Sequence, residues 1–362
     1  MSCAPIRAQA ADHTETLSLE DSSVTVDFYL PSAAEPAPMI VVAHGFARSR
    51  QDVGPWGTAL ASRGYVVALP DLPGLLPDHR KNGLIVSALL DWMAEQSEGA
   101  HEVLGGRVNP GLRGVVGHSA GGLAAVLAAA ADPTIEVVVG LDLVDSSGSG
   151  LEAAGSITAP AALLMSRPDE CNSQGNGSAL YDALAGPKLH LRVTEANHCD
   201  PESPNSDCNV LVARCGVASP EIHEIFRRYT YALLDHVLLC DEEAAAWLGG
   251  DSARADTEIE ELRSSGFPLE PCEEDPGEGD PGEGDPGEGD PGEEDPGEED
   301  PGGGQSGEPD MDESGPGTDA TPPASCGCLV KGLSGYSAAA FLLLGLFLAC
   351  PSRRRSPQPP GC

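Results

Sequence analysis

One serine in this chain stands where a serine can become a nucleophile. Gly117-His118-Ser119-Ala120-Gly121 has the form Gly-x-Ser-x-Gly, with apolar Val115-Val116 before it and an alanine-rich run to Ala131 behind it. That context predicts a strand, a sharp turn and a helix, with the hydroxyl pushed out at the tip of a sheet. Glycine two residues to either side admits the close backbone contacts that such an elbow makes. A serine hydroxyl is a weak nucleophile at neutral pH, so a base must take its proton and a carboxylate must orient that base. Downstream, three apolar segments each lead into a loop with a polar candidate: Asp142 and Asp145, then Asp169 and Glu170, then His198. Of nine histidines, His198 in Glu-Ala-Asn-His-Cys-Asp is the best placed base. His190 falls inside a strand pattern and His223 and His236 on a late helix, while His44 and His118 read as turn or packing residues.

The elements that must position these groups alternate. Val24–Leu30 reads as an edge strand and Met39–Ala43 as a buried one, followed by the turn His44-Gly45-Phe46-Ala47. A helix is predicted over Pro55–Arg63, a strand over Tyr65–Leu69, and a second helix over Gly83–Gln96 with Trp92 on its apolar face. Strands at Val137–Leu141, Ala161–Ser166 and Leu189–Val193 come after the serine's helix. A long helical segment spans Pro220–Trp247, and Asp256–Arg263 closes the body. Such alternation is the mark of a parallel sheet covered on both faces, in which functional groups gather at the carboxyl ends of the strands.

Composition divides the 362 residues unevenly. Net charge is −37, and more than half of it lies between Leu269 and Ala320, a stretch without Lys or Arg and almost without large apolar side chains. Asp-Pro-Gly-Glu recurs there with a period of five, which predicts an extended solvated stalk rather than a core. The body is acidic too, which excludes nucleic acid as a partner. Eleven cysteines are many for a cytosolic enzyme. Five of them, Cys171, Cys199, Cys208, Cys215 and Cys240, crowd the second half of the body, which predicts disulfides and an oxidising compartment. Leu333–Cys350 is apolar for about the length of a membrane span and is followed by Arg353-Arg354-Arg355, which belong on the cytoplasmic side. The body is then expected outside the cell. Ala8-Gln9-Ala10 has the small-x-small form that closes a signal peptide, so the true start is expected upstream of Met1. The expected division is 1–10 as a signal remnant, 11–268 as the folded domain, 269–325 as the stalk and 326–362 as an anchor.

Two resemblances add to this reading. His44-Gly45-Phe46-Ala47-Arg48, Trp56 and Leu60-Ala61-Ser62-Arg63-Gly64-Tyr65-Val66-Val67 look like the corresponding part of the chlorophyllase and polyester-hydrolase (PETase and cutinase-like) branch of the α/β-hydrolases. Gly117–Gly122 resembles its nucleophile elbow, and Leu163–Asp169 and Ala196–Cys199 extend the likeness. The fold implied is that of the α/β-hydrolases, and the activity implied is carboxylic-ester hydrolysis without metal or organic cofactor. In that fold the chain order is serine, acid, histidine, so Ser119, Asp169 and His198 are the first choice. Asp142 is the alternative acid, with Asp145 and Glu170 behind it; Gly140–Asp145 is similar to the chlorophyllase side, where the acid comes from this earlier loop. The oxyanion donors are expected to be the backbone N–H groups of Ala120 and Phe46. Phe46 itself either lines the acyl pocket or packs under its loop. The resemblance also suggests a Cys171–Cys199 disulfide. It carries over neither plastic-like polymers nor chlorophyll, because no aromatic clamp stands near the end of the Val137–Leu141 strand and Ala120 replaces the basic residue of chlorophyllase elbows. At the other end, Cys326-Gly327-Cys328, the apolar run and the arginines resemble the tripartite sorting signals of bacterial surface proteins of the MYXO-CTERM type, which implies a sorting protease as a partner.

The expectation is therefore a secreted, surface-anchored serine esterase acting on a small-molecule or lipid-like ester through an acyl-enzyme. An acyltransferase or peptidase on the same scaffold, or a non-catalytic binding module on a stalk, are the rivals. Oligomeric state is not legible.

Overall fold

The computed structural model describes residues 11–73, 78–172, 175, 177–209 and 214–269. The expected stalk, cysteine motif, membrane span and arginine cluster lie outside them, as does the signal remnant. Among the described residues, no helix is long and apolar enough to cross a membrane.

The described residues form a sheet of nine strands, β1 (His13–Leu19), β2 (Ser22–Tyr29), β3 (Ala37–Ala43), β4 (Val66–Pro70), β5 (Val108–His118), β6 (Val137–Leu141), β7 (Ala161–Met165), β8 (Lys188–Val193) and β9 (Ile259–Ser265), in the order β1-β2-β4-β3-β5-β6-β7-β8-β9. From β4 to β8 neighbours run parallel, while β1, β2 and β9 pair antiparallel at the two edges. This is the α/β-hydrolase fold. The central strands read as unbroken apolar runs because both faces are covered. Along β3, Met39, Val41 and Ala43 face one core with α2 (His79–Glu98) and α3 (Ala120–Ala131); Ile40 and Val42 face the other with α1 (Gly54–Ala61) and α6 (Pro220–Leu238). That is the period of two expected of a strand.

The edges depart from the sequence reading. The hairpin strand β1 was not expected, and the segment taken to close the body, Asp256–Arg263, supplies most of the edge strand β9. The Pro220–Trp247 segment is not one helix. α6 starts with Pro220 in its first turn, and the Ser219 hydroxyl accepts from the Ile222 N–H at 3.4 Å. It ends at Leu238, two residues before Cys240 takes a positive φ of 56°. The order of β4, β3 and β5 reverses the direction of winding between β3 and β5. A crevice opens at such a reversal, at the carboxyl ends of the strands, and the loops after β3 and β5 carry Phe46 and Ser119.

Candidate active site

Ser119 sits at the tip of β5 with φ 57° and ψ −120°, directly before the first residue of α3. A non-glycine residue in that conformation is strained. The crowding around it explains the flanking glycines. A Cβ on Gly117 would lie 2.2 Å from the carbonyl oxygen of Gly121, and one on Gly121 would lie 2.3 Å from that of Ala43. Both positions exclude any side chain. The Ser119 N–H donates to Leu141 O at 3.0 Å, and its carbonyl accepts from Leu123 and Val144, so the elbow is held by β6 and by its own helix.

His198 follows β8 and is 4% exposed. Its Nε2 lies 2.9 Å from Ser119 Oγ and its Nδ1 2.5 Å from Asp142 Oδ2. Sequence order placed Asp169 on this ring; the structure seats Asp142 there instead. Asp142 stands directly after β6 with φ 41° and is 0% exposed. Its N–H donates to Leu164 O, while Oδ1 accepts from the Ser166 N–H at 2.9 Å and the Asn172 side-chain amide at 3.0 Å. Asp169 is occupied with backbone. Oδ1 accepts from the N–H groups of Cys171 and Asn172, as in an Asx turn, and Oδ2 accepts from the His198 N–H at 3.0 Å. Asp169 thus orients the loop of the histidine, not its ring. Asp145 accepts from the Leu151 N–H, and the exposed Glu170 accepts from the Arg214 N–H. Asn172, which the sequence reading passed over, is the link between the Asp169 turn and Asp142.

The charges follow the geometry. Burial disfavours protonation of His198, but the Asp142 carboxylate on Nδ1 outweighs it and lifts its pKa above the ordinary value. Burial likewise pushes Asp142 up, and the imidazole together with Ser166 pulls it below the usual carboxylate range. His118 is different. Burial depresses its pKa to about 4, and its Nε2–H donates to the carbonyl of His198 at 2.8 Å. His118 and His44 are the packing and turn residues expected of them. His44 donates from Nδ1 to Gly45 O and accepts the Leu72 N–H at Nε2, which fixes the start of the β3 loop.

That loop lies against the serine: a Cβ on Gly45 would stand 3.2 Å from Ser119 Cβ. The turn Gly45–Arg48 is closed by Arg48 N–H to Gly45 O at 3.3 Å and places Ala47 at φ 57°. Alanine in that left-handed region costs about 1–2 kcal/mol. Phe46 is 45% exposed, so its ring is not packed under the loop.

A family profile described as PETase, PET hydrolase-like, matches residues 9–221, more than half of the chain. This chain belongs to the PET hydrolase-like family. Among similar proteins, Lipase 1 of Moraxella sp. (strain TA144) is 23% identical over 180 residues, covering 49% of this chain and 53% of the lipase. Bis(hydroxyethyl) terephthalate hydrolase of Streptomyces coelicolor (strain ATCC BAA-471 / A3(2) / M145) is 31% identical over 102 residues, covering 28% of this chain and 31% of that enzyme. The chain thus spans about half and about a third of these two relatives.

Two disulfides frame the site of this PET hydrolase-like protein. Cys171 pairs with Cys215 and Cys199 with Cys208, in place of the Cys171–Cys199 pair suggested by resemblance. Cys240 is disulfide-bonded as well. Among the described residues, His13, Glu15 and His101 form a cluster with metal-like spacing, away from Ser119. Its chemistry does not suit an ion. His101 Nδ1 accepts the N–H groups of Val103 and Leu104, so Nε2 carries the proton and donates to Glu15 at 3.2 Å.

Proposed function

We propose that this protein is a serine carboxylic-ester hydrolase that works through an acyl-enzyme, with Ser119 as nucleophile, His198 as base and Asp142 as orienting acid. The observation that carries the reading is the continuous relay from Asp142 Oδ2 through the imidazole to Ser119 Oγ, at 2.5 and 2.9 Å. With Nδ1–H donating to the carboxylate, Nε2 is the lone-pair nitrogen and faces the hydroxyl, the tautomer a general base needs. Ser119 Oγ attacks the ester carbonyl while Nε2 takes its proton. Negative charge collects on the carbonyl oxygen, beside the N-terminus of α3, where the Ala120 N–H and the Phe46 N–H serve as donors. Collapse of the adduct expels the alcohol, which receives the proton from His198. Water, deprotonated by the same nitrogen, then releases the acid and restores the serine.

The substrate we assign is a small or lipid-like ester. Membership of the PET hydrolase-like family and likeness to a lipase and a bis(hydroxyethyl) terephthalate hydrolase support that class. A secreted, surface-anchored setting completes the proposal. It is supported by the disulfides, which suit an oxidising compartment, and by the order acidic stalk, apolar run and arginine cluster in the sequence.

Hydrolysis of nitrophenyl esters of increasing acyl length by the full chain tests the reading. Wild type is expected to be active, with Ser119→Ala lowering kcat by on the order of 10⁶. Equal rates in the two proteins would refute a serine mechanism. Preferential transfer to an added alcohol or amine, rather than to water, would move the assignment to acyl transfer.

A further inference from the structure

Glu202 is a fully buried carboxylate that the relay does not use. It lies in the loop closed by the Cys199–Cys208 disulfide, three residues beyond the segment that carries His198. Arg48 reaches it from the other side of the site with a two-pronged contact, Nε to Oε1 at 2.7 Å and Nη2 to Oε2 at 2.8 Å. The Ser206 hydroxyl donates to the same carboxylate. Arg48 is also the residue that closes the turn bearing Phe46 and the strained Ala47, and its Nη2 donates in addition to Asp52 Oδ1 at 2.8 Å. The residues joined are 154 positions apart in sequence.

Stability is a poor reason for such a pair. Glu202 is wholly removed from water and Arg48 largely so, which is costly, and apolar residues of similar volume replace buried ion pairs with little loss or with gain. The loop has other anchors: the Trp56 indole N–H donates to Pro201 O at 2.9 Å, His223 Nδ1–H donates to Asp200 O at 2.9 Å, and Asp200 accepts from the Ser219 N–H. Among the described residues, the hydrogen bonds that tie the oxyanion turn to the loop of the base are those of Arg48 with Glu202. A residue held at positive φ persists where its surroundings over-determine it, and in a serine hydrolase the proton and the negative charge must arrive at fixed places together.

We propose that Arg48 and Glu202 are positioning residues that hold the Gly45–Arg48 oxyanion turn in register with His198. The inference rests on the serine-hydrolase reading above. An ångström of misplacement can cost about 100-fold in rate, so losing the tie lowers kcat by roughly 10- to 100-fold and leaves KM within about threefold.

The test compares full-length wild type with Arg48→Met/Glu202→Leu, which removes both charges at once, on a nitrophenyl ester and with an alkyl boronic acid. The boronic acid adds to Ser119 Oγ and places a boron-bound oxygen at the oxyanion position, so its affinity reports the turn directly. Expected are an unfolding midpoint close to wild type, a kcat loss of the stated size, and boronate affinity weakened in step with kcat. Arg48→Lys, which keeps the charge but loses the fork, is expected to show a smaller loss of the same kind and serves if the double variant does not fold. Folded variants with unchanged kcat and boronate affinity, or with a loss confined to KM or to the unfolding midpoint, would overturn the inference while wild-type activity left the esterase reading standing. A wild type that hydrolyses no ester would sink the esterase reading and this inference together.

Discussion

Replacing Asp142 with asparagine separates the two carboxylates that compete for the role of acid. In the wild type, Oδ1 accepts two fixed donors, the Ser166 N–H and the Asn172 amide, and Oδ2 accepts the His198 Nδ1–H. An asparagine in the same place must keep its oxygen toward the two donors, since its NH₂ group there would meet two N–H groups and leave them unsatisfied in a fully buried site. The NH₂ then points at Nδ1, which can only accept from it. The ring proton moves to Nε2, and the lone pair that should face Ser119 is gone. A wrong tautomer of this origin lowers kcat by about 10⁴ in a serine protease triad, or about 5.4 kcal/mol at 1.36 kcal/mol per tenfold. Asp169→Asn has a different effect, because that carboxylate touches three backbone N–H groups and not the ring. Its oxygen side still satisfies part of the turn, and a kcat loss of about tenfold is expected from a displaced loop. The assay is steady-state ester hydrolysis by the two variants, each checked by thermal melting. A larger loss in Asp169→Asn, or an Asp142→Asn variant within tenfold of wild type, would refute the tautomer argument and return Asp169 to the ring.

His198 must be neutral to act as base, and against the opposing effect of burial the Asp142 carboxylate holds its pKa above that of an ordinary imidazole, so protonated, inactive enzyme persists to higher pH than for a free imidazole. The acid limb of kcat/KM is expected to be centred above 6.5, and to move down in Asp142→Asn, which lacks the charge that raises it; a wild-type limb centred below 6.5 contradicts this. The Cys171–Cys215 bridge closes 44 residues and Cys199–Cys208 only 9. Chain-entropy arguments give about 4 and about 2.6 kcal/mol for such loops, so denaturant unfolding of paired Cys→Ser variants is expected to rank the first as the costlier loss.

Much of the site is local in sequence and was legible for that reason. Ser119, Gly117 and Gly121 announce the elbow because the steric demand of the turn is met within five residues, and β6 was bounded correctly because a run buried on both faces has sharp polar ends. The choice of acid was not local. Asp142 and Asp169 follow adjacent strands, and which one meets the imidazole depends on backbone turns that composition does not display: a positive φ at Asp142, and an Asx turn that consumes Asp169. Disulfide partners were out of reach because Cys171, Cys199, Cys208 and Cys215 share two neighbouring loops, where several pairings satisfy the chain. Arg48 and Glu202 left only a faint sign, one charged residue just after the Gly45 turn and one between Cys199 and Cys208, and their meeting is a property of the fold. The strand β9 was hidden by its exposed, charged face, which resembles a tail more than a sheet edge.

His198 is approached by two carboxylates from neighbouring strands, one at its ring and one at its main-chain N–H. Where both acids already touch one histidine, which of them serves the ring is decided by two local backbone turns, the positive φ at Asp142 and the Asx turn at Asp169, and not by the strands that carry them. The position of the acid along the chain is then a poor guide to kinship, and two enzymes that differ in it can still be close cousins.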